Sequence, residues 1–198
     1  MAIRTGRKRI EGRDIELLES ALHVLAENGY EGMTIDMVAA HAKAGKGAIY
    51  RRWDSKEKLV LDAVSYMKKS MVDLNDLPDT GSLRGDLLAL FRPQTNEERE
   101  FKLKVMSGLS SLLSQNSSLV EAANSVIIEP WAKVYYSLMQ RAVKRGEVSS
   151  KVNIKVISNI VPSMGAYRSL IERKPFDKKF LISILDAVVL PALGIKKE

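Results

Sequence analysis

Apolar residues recur three and four positions apart along most of this 198-residue chain, and its six prolines and twelve glycines leave long segments uninterrupted. This spacing places apolar side chains on one face of an α-helix, whereas a strand would need strict alternation. Apolar residues make up 45% of the chain, which is enough to bury a sizeable core. We therefore predict an all-α fold of about nine helices.

Composition removes several classes of protein. The chain contains no cysteine, so it has no disulfide framework and no thiolate metal site. Its basic N-terminus is not followed by the apolar run of a secretory signal, and nowhere do apolar residues form a continuous span long enough to cross a membrane. We expect a soluble, cytoplasmic protein without a membrane partner.

The first part of the chain predicts three helices, over residues 13–28, 35–42 and 46–52. Gly29 supplies a stop for the first helix, and Thr34 is a favourable N-cap for the second. The third helix is very short and follows a break at residues 43–45. Two short helices joined by a tight turn behind a longer one predict a helix-turn-helix.

The rest of the chain continues the helical pattern. A long helix should begin at Ser55 and end before the segment "NDLPDTGS", which contains Pro78 and Gly81. Further patterns cover residues 83–92, 97–114, 119–145, 153–172 and 177–192. Pro130 and Pro162 fall inside two of these segments, where they should kink or restart the helix.

Charge is sorted into blocks near the N-terminus. Residues 1–13 and 43–53 together hold nine Lys and Arg residues and one acid, whereas residues 14–42 hold six acids and no Lys or Arg. With a formal net charge of +7 for the chain, this placement indicates an anionic partner that meets the two basic segments.

The second basic segment lies in the stretch "AKAGKGAIYRRWDSKEKL", residues 42–59. Small residues at its start would let a helix approach the major groove of DNA closely. Ile49 and Trp53 are four positions apart and should anchor this helix to the fold. Tyr50 and the two arginines that follow it would then face outward, where they can contact phosphates or the O6/N7 edge of guanine.

The segment "GYEGMTIDMVAAHAKAGKGAIYRRWDSKEKLV", residues 29–60, resembles the TetR-type bacterial transcriptional regulators, and "IYRRW" is similar to one of their subgroups. The resemblance implies that residues 34–53 are the DNA-binding helix-turn-helix. Two positions depart from the family pattern, since Lys43 stands where a glycine is usual and Gly45 where a serine-like cap is usual. A left-handed Lys43 would store strain of roughly 1 kcal/mol.

By the same resemblance, we expect a basic arm at 1–10, a DNA-binding domain at 11–70 and an effector-binding and dimerisation domain at 71–198. The function implied is a ligand-responsive repressor. Its expected partners are an operator in double-stranded DNA, a second copy of the chain and a small effector, largely apolar or aromatic; no cofactor or metal is expected. The candidate DNA-binding residues are Thr34, Lys43, Ala44, Gly45, Lys46, Gly47, Ala48, Tyr50, Arg51, Arg52 and Lys56, with Arg4, Arg7 and Lys8 in the arm.

Two further sets of candidates come from the second domain and from the end of the long helix that leads into it. Large aromatic and methionine side chains are candidates to line the effector pocket, although most such side chains fill helical cores in any protein. They are Met67, Met71, Phe91, Phe101, Met106, Trp131, Tyr135, Met139 and Met164. Wide apolar faces on the last two helical segments are candidates for a dimer interface. They comprise Ile157, Ile160, Val161, Met164, Tyr167, Leu181, Leu185, Val188 and Val189.

Two other functions compete with DNA regulation. An enzyme is disfavoured because His23 and His41 are the only histidines, and neither a metal-ligand cluster nor a nucleophile motif accompanies them. A basic helical adaptor that binds an acidic surface differs from a groove reader in having no sequence preference at physiological salt. The basic arm is either a disordered tail or an element that reaches into the minor groove, and both hold if it orders on binding.

Overall fold

Helices form all the regular secondary structure in the part of the chain that the structure, a computed structural model, describes. This part comprises residues 12–69, 74, 76–110, 112 and 117–195. The all-α prediction is confirmed, and none of the described helices is both long enough and apolar enough to span a bilayer. The basic arm predicted for residues 1–10 lies outside the described residues.

The N-terminal half is built from four helices: α1 (Gly12–Gly32), α2 (Ile35–His41), α3 (Lys46–Tyr50) and α4 (Lys56–Lys69). Gly29 interrupts α1 with a φ of 66°, a left-handed value that glycine adopts readily. The Oγ1 atom of Thr34 accepts a hydrogen bond from the Met37 amide at 3.2 Å, so the predicted cap of α2 is confirmed. Local sequence signals therefore predict both the interruption of α1 at Gly29 and the start of α2 after Thr34.

The second half contains shorter helices than the sequence pattern suggests. Two long predicted segments are divided, each just before one of the prolines. One breaks at Ile128, so that Pro130 falls in the first turn of the next helix, and the other breaks at Ser158 and Asn159, shortly before Pro162. The helices are α5 (Leu83–Ala89), α6 (Asn96–Gly108), α7 (Ser117–Ile127), α8 (Glu129–Lys144), α9 (Ile154–Ile157), α10 (Ile160–Leu170) and α11 (Lys178–Ile184), followed by a π-helical turn (Leu185–Val189) and α12 (Leu190–Ala192).

Two hydrophobic cores hold these helices together. The first is formed by α1 to α4 with one face of α6 and α7, and it includes Val105, Leu109 and Ile127. Gly108 lies so close to α1 that a Cβ on it would stand 2.8 Å from the carbonyl oxygen of Leu25. The second core joins α5 to the helices from α8 onward. Helix α6 is thus packed directly on the long helix that carries the helix-turn-helix.

A buried charge network ties α5 to α8. Asp86 has no solvent exposure, and its carboxylate accepts hydrogen bonds from the Thr80 amide at 2.6 Å and the Thr80 hydroxyl at 2.9 Å. Arg141 and Arg145 each donate to the other carboxylate oxygen at 3.1 Å. Burial raises the pKa of Asp86, but these hydrogen bonds outweigh it and hold the pKa below its ordinary value. The network is therefore ionised and structural at neutral pH.

Candidate nucleic-acid interface and ligand cavity

Helix α3 is anchored from below by two apolar side chains. Ile49 is fully buried and Trp53 nearly so, and the Trp53 indole N–H donates a hydrogen bond to the Asp62 carboxylate at 3.1 Å. This confirms the predicted anchoring at positions four apart. With its inner side occupied, α3 presents its remaining side chains outward.

The outer side of α3 is small at its start and cationic at its end. Gly45 caps the helix in an extended conformation without a side-chain hydrogen bond, and Gly47 is also exposed. Tyr50 is 54% exposed, and Arg51 is exposed and forms no ion pair within the described residues. Lys46 lies 2.5 Å from the Asp36 carboxylate, but both side chains are exposed, so a phosphate can compete for this lysine.

Two of the candidate DNA-binding cations point inward instead. Arg52 forms an ion pair with Asp14 of α1 and donates a second hydrogen bond to the Ala48 carbonyl at 3.0 Å. The ammonium of Lys56 donates to the carbonyls of Tyr30 at 2.9 Å and Met33 at 3.2 Å. These contacts hold α3 and the start of α4 against α1. The side chains of Arg52 and Lys56 therefore position α3, whereas the sequence pattern assigned them to DNA.

The start of α4 is fixed by a further contact to the end of α1. The Tyr30 hydroxyl donates to the Glu57 carboxylate at 2.5 Å, and the Lys56 ammonium lies 4.1 Å from the centroid of the Tyr30 ring. Burial and this hydrogen bond raise the pKa of Tyr30, while the same bond lowers the pKa of Glu57. The pair is a neutral phenol bonded to a carboxylate at physiological pH.

The turn between α2 and α3 contains a left-handed residue. Lys43 has a φ of 48°, a conformation in which a residue other than glycine stores strain. Arg13 of α1 donates to the carbonyls of Ala42 and Lys43, each at 3.3 Å, and the Ala44 amide donates to the Ala39 carbonyl at 2.8 Å. These hydrogen bonds offset the strain of the turn.

The remaining DNA-binding candidates divide by exposure. Thr34 and Lys43 are exposed beside α3, whereas Ala44 and Ala48 are half-buried. Arg4, Arg7 and Lys8 lie outside the described residues.

A cavity of about 360 Å³ opens among α4, the connection from α5 to α6, α6, α8, α10 and the segment before α11. Its size is within the range of small-molecule sites. Five of the nine predicted lining residues do line it, namely Met67, Phe91, Met106, Trp131 and Tyr135. The apolar and aromatic character expected of its wall is thus present, and Phe176 adds a ring that the sequence pattern did not single out.

Three of the other four pocket candidates lie elsewhere. Phe101 packs on His23 of α1 with ring centroids 4.7 Å apart, and Met139 is fully buried within the second core. Met164 is 39% exposed on the surface, and Met71 lies outside the described residues. Helical spacing identifies the apolar face of a helix, but it does not tell a core position from a cavity wall.

The cavity also has cations that the sequence pattern missed. Lys68 of α4, Arg92 of the connection, and Arg99 and Lys102 of α6 line it, with Glu98 as the one carboxylate among its described lining residues. Burial and the nearby Lys102 lower the pKa of Lys68 to about 8. Burial also lowers the pKa of Lys102, and Glu98 opposes this effect. Lysines spaced along amphipathic helices normally indicate a solvated face, so the sequence carried no signal for this cluster.

The lowered pKa of Lys68 predicts a pH-dependent stability. The unfolded chain holds this proton up to about pH 10.4, so between about pH 8 and that value it binds more protons than the folded chain, and the stability rises with pH. We expect the free energy of unfolding to gain about 1–2 kcal/mol between neutral pH and about pH 9.5. Urea titrations should show a clearly larger gain in the wild type than in Lys68→Met, which retains only the smaller contribution of Lys102. The charged and titratable groups around the cavity that both proteins retain are Arg92, Glu98, Arg99, Lys102 and Tyr135.

Lys104→Met is the matched control for that measurement, because Lys104 is an exposed α6 residue that does not line the cavity. It should keep the wild-type pH dependence. The same pH dependence in Lys68→Met and the wild type would contradict the assignment.

The candidate dimer residues separate into buried and exposed groups. Five of them, Ile157, Val161, Leu181, Leu185 and Val189, are buried in the core of the chain itself and are not accessible to a partner. This corrects the predicted interface: the apolar faces are wide because they cover this core. Ile160 is half-buried, and Met164, Tyr167 and Val188 are exposed.

Exposed apolar residues recur along α10 and on either side of it. Val156 and Ile171, which the sequence pattern did not single out, are 62% and 68% exposed. Together with the exposed candidates on α10 they recur every three or four residues, so they lie on one side of consecutive helical segments. We define this surface as the α10 stripe: Val156, Ile160, Met164, Tyr167 and Ile171.

The described part of the chain contains no group of three His, Cys, Asp or Glu side chains placed so that they could hold a metal ion. The two histidines stack on each other with ring centroids 5.2 Å apart.

Comparisons with known proteins cover both halves of the chain. A family model described as "Bacterial regulatory proteins, tetR family" matches residues 17–63, and one described as "Tetracyclin repressor-like, C-terminal domain" matches residues 77–188. The chain is 33% identical over 182 residues to an uncharacterized HTH-type transcriptional regulator of Mycobacterium bovis, covering 91% of this chain and 88% of that protein. It is 31% identical over 182 residues to the DNA-binding transcriptional repressor TetR of Mycobacteroides abscessus, covering 92% and 94%.

A solved structure shares the fold. The transcriptional regulator FadR from Bacillus subtilis, crystallised in complex with stearoyl-CoA, superimposes with a TM-score of 0.62 at 15% identity, covering 91% of this chain and 97% of that one. At this identity the likeness concerns the fold alone.

Proposed function

This chain belongs to the TetR family of bacterial transcriptional regulators, and from that premise we propose that it is a repressor released from a palindromic operator by a small molecule. The observation that carries the proposal is the outer side of α3. Its small leading residues, exposed Tyr50 and exposed Arg51 stand on a helix whose inner side is locked by Ile49 and Trp53.

The proposed contact with DNA follows from the size and charge of α3. A major groove admits one helix, and the glycines at positions 45 and 47 let the backbone come close to it. The Tyr50 hydroxyl can donate to a phosphate, and Arg51 can take a phosphate or the edge of a guanine. Arg52 and Lys56 contribute by holding α3 and α4 in place, since each directs two of its donors to acceptors within the chain.

Replacing Tyr50 or Arg51 by alanine is expected to weaken operator binding by roughly 1–3 kcal/mol each, and to relax sequence preference where the side chain contacts a base. Fluorescence anisotropy at fixed salt, on an operator obtained by selection from random DNA, measures both effects. Lys133→Ala, at an exposed position on α8, is a control that removes one positive charge away from α3. Wild-type affinity and preference in both α3 variants would remove α3 from the DNA interface.

A homodimer is typical of the family, and the α10 stripe supports one here. Apolar side chains as exposed as Val156 and Ile171 are costly to leave in water when they are contiguous. Pairing α10 and the neighbouring α11 with their copies about a two-fold axis would form a four-helix interface. The two α3 helices would then address half-sites about one helical turn, or a multiple of it, apart.

The proposed switch runs through two helices that touch both the cavity and the DNA-binding half. Helix α4 starts with the contacts of Lys56 and Glu57 to α1 and ends with Met67 and Lys68 in the cavity wall. Helix α6 lines the cavity and packs on α1 through Gly108. A ligand acts only if it prefers one arrangement of these helices. A preference of about 100-fold corresponds to about 2.7 kcal/mol of coupling, enough to lower operator occupancy substantially.

A further inference from the structure

The cavity combines an apolar wall with an excess of positive charge. Trp131, Tyr135 and Phe176 supply aromatic rings from α8 and the segment before α11. The cations come from α4, the α5 to α6 connection and α6. A neutral apolar ligand would use the rings and leave the positive charge of the cavity without a matching anion.

Glu98, the one carboxylate among the described residues of the cavity wall, also caps helix α6. Glu98 accepts a hydrogen bond from the Thr95 amide at 3.0 Å, and the Thr95 hydroxyl accepts one from the Glu98 amide at 3.1 Å, which together form the capping box of α6. Within the described residues, neither Lys68 nor Lys102 forms a salt bridge. Lysines withdrawn from water are normally paired, whereas among the described residues only the longer-range charge of Glu98 opposes these two.

The electrostatics of the two lysines agree with this geometry. Burial lowers the pKa of both ammonium groups, and each lies near the other rather than near a neutralising acid, apart from the contribution of Glu98 to Lys102. An anion placed between them would relieve their repulsion and replace lost hydration with charge-assisted hydrogen bonds. A bound cation would add to the repulsion.

We propose that the effector of this protein is an amphipathic anion, a carboxylate on an apolar or aromatic body, whose carboxylate binds Lys68 and Lys102 and whose body lies against Trp131, Tyr135 and Phe176. This inference rests on the proposed ligand-released function, and it names the chemical class of the ligand. A cavity of about 360 Å³ accommodates a body the size of a medium-length acyl chain or an arylalkyl group.

Direct binding to the full chain tests the proposal without DNA. Isothermal titration calorimetry at neutral pH compares decanoate, 4-phenylbutyrate and indole-3-acetate with their uncharged primary amides. We expect at least one acid to bind about tenfold or more tightly than its amide. Comparison of decanoate with the two aryl acids shows whether the cavity prefers an acyl chain or an aromatic ring as the apolar body. Equal affinities of every acid and its amide, or no saturable binding of any acid, would overturn the proposal.

Three variants locate the anion. Lys68→Met and Lys102→Met should each lower the affinity for the bound acid about tenfold while leaving the affinity for its amide unchanged. Lys104→Met, exposed on the same helix as Lys102, should bind like the wild type. An acid that binds both cavity variants as tightly as the wild type would contradict the site.

Proton uptake gives a second measurement that needs no variant. Near pH 8 part of Lys68 is neutral, and a carboxylate bound beside it favours the protonated form. Titration in two buffers of different ionisation enthalpy should show uptake of a fractional proton with the acid and none with the amide. Acid binding without proton uptake would argue against contact with Lys68.

The effect of the bound acid on operator affinity is a separate measurement from its binding to the cavity. An acid that binds through the two lysines and leaves operator affinity unchanged would support this site and contradict the proposed release. A neutral compound that fills the cavity and releases the operator would support the proposed release and contradict the proposed anionic effector.

Discussion

Ile171→Asp is expected to convert a dimeric regulator into a monomer and to lower operator affinity about 100-fold or more. Ile171 is 68% exposed in the single chain and ends the α10 stripe, where the proposed two-fold axis would bury it. An aspartate there would have to lose its hydration against an apolar partner surface, which costs several kcal/mol. Operator affinity falls because two linked half-site contacts become independent. Light scattering at micromolar concentration and anisotropy on the selected operator measure the two effects.

Val120→Asp is the matched control, because Val120 is 48% exposed on α7 and does not belong to the stripe. It introduces the same charge in place of a similarly exposed apolar side chain and should leave both mass and affinity unchanged. A dimeric Ile171→Asp variant with wild-type affinity would place the interface elsewhere.

Asp86→Ala is expected to lower the free energy of unfolding by roughly 3–5 kcal/mol. The substitution removes the shared acceptor of Arg141, Arg145 and Thr80, so that cations partly withdrawn from water lose their partner. Because these contacts join α5 to α8, the second core should loosen as well. Urea denaturation at neutral pH measures the change.

Asp79→Ala provides an unusually close control. Asp79 pairs with the same two arginines, 3.2 Å from Arg145 and 3.8 Å from Arg141, but its side chain is 63% exposed. Solvent screening makes such a pair worth about 0–1 kcal/mol. Similar losses for Asp79→Ala and Asp86→Ala would show that burial of the network does not determine its strength.

The pH dependence of the Asp86 network has a definite sign. Its pKa is lowered in the folded chain, so its stabilisation is fully present above the ordinary aspartate value and is lost as pH falls through the lower folded value. The difference in stability between the wild type and Asp86→Ala should therefore be constant near neutral pH and shrink below about pH 4. A difference that shrinks already near neutral pH would contradict an ionised Asp86.

Features set by neighbours along the chain were predicted correctly from the sequence. The stop at Gly29 and the cap at Thr34 each depend on a backbone preference within one turn. The division of the long helical segment before Pro130 has the same origin, since proline lacks the amide that a helix interior requires. Spacing alone also placed Ile49 and Trp53 beneath α3.

Features that depend on distant segments were predicted less well. Arg51 and Arg52 are adjacent and chemically identical, yet only Arg52 meets an acid, because Asp14 of α1 lies beside it in the fold. Lys56 was expected at the DNA backbone, but the end of α1 supplies two carbonyls for its ammonium. Side-chain type was therefore not enough to distinguish a candidate DNA-binding residue from one whose hydrogen bonds stabilise the fold.

The sequence by itself determined that this chain is helical, where its helix-turn-helix lies and which family it belongs to, because helix caps, apolar periodicity and the α3 pattern are local properties. Tertiary structure alone decided that Leu181 is buried while Ile171 is exposed, and that Lys68 shares a cavity with Trp131. These outcomes depend on contacts between residues far apart in the chain. A helical period specifies which side chains share a face, but the packing of other helices on that face determines whether it becomes core, cavity wall or surface.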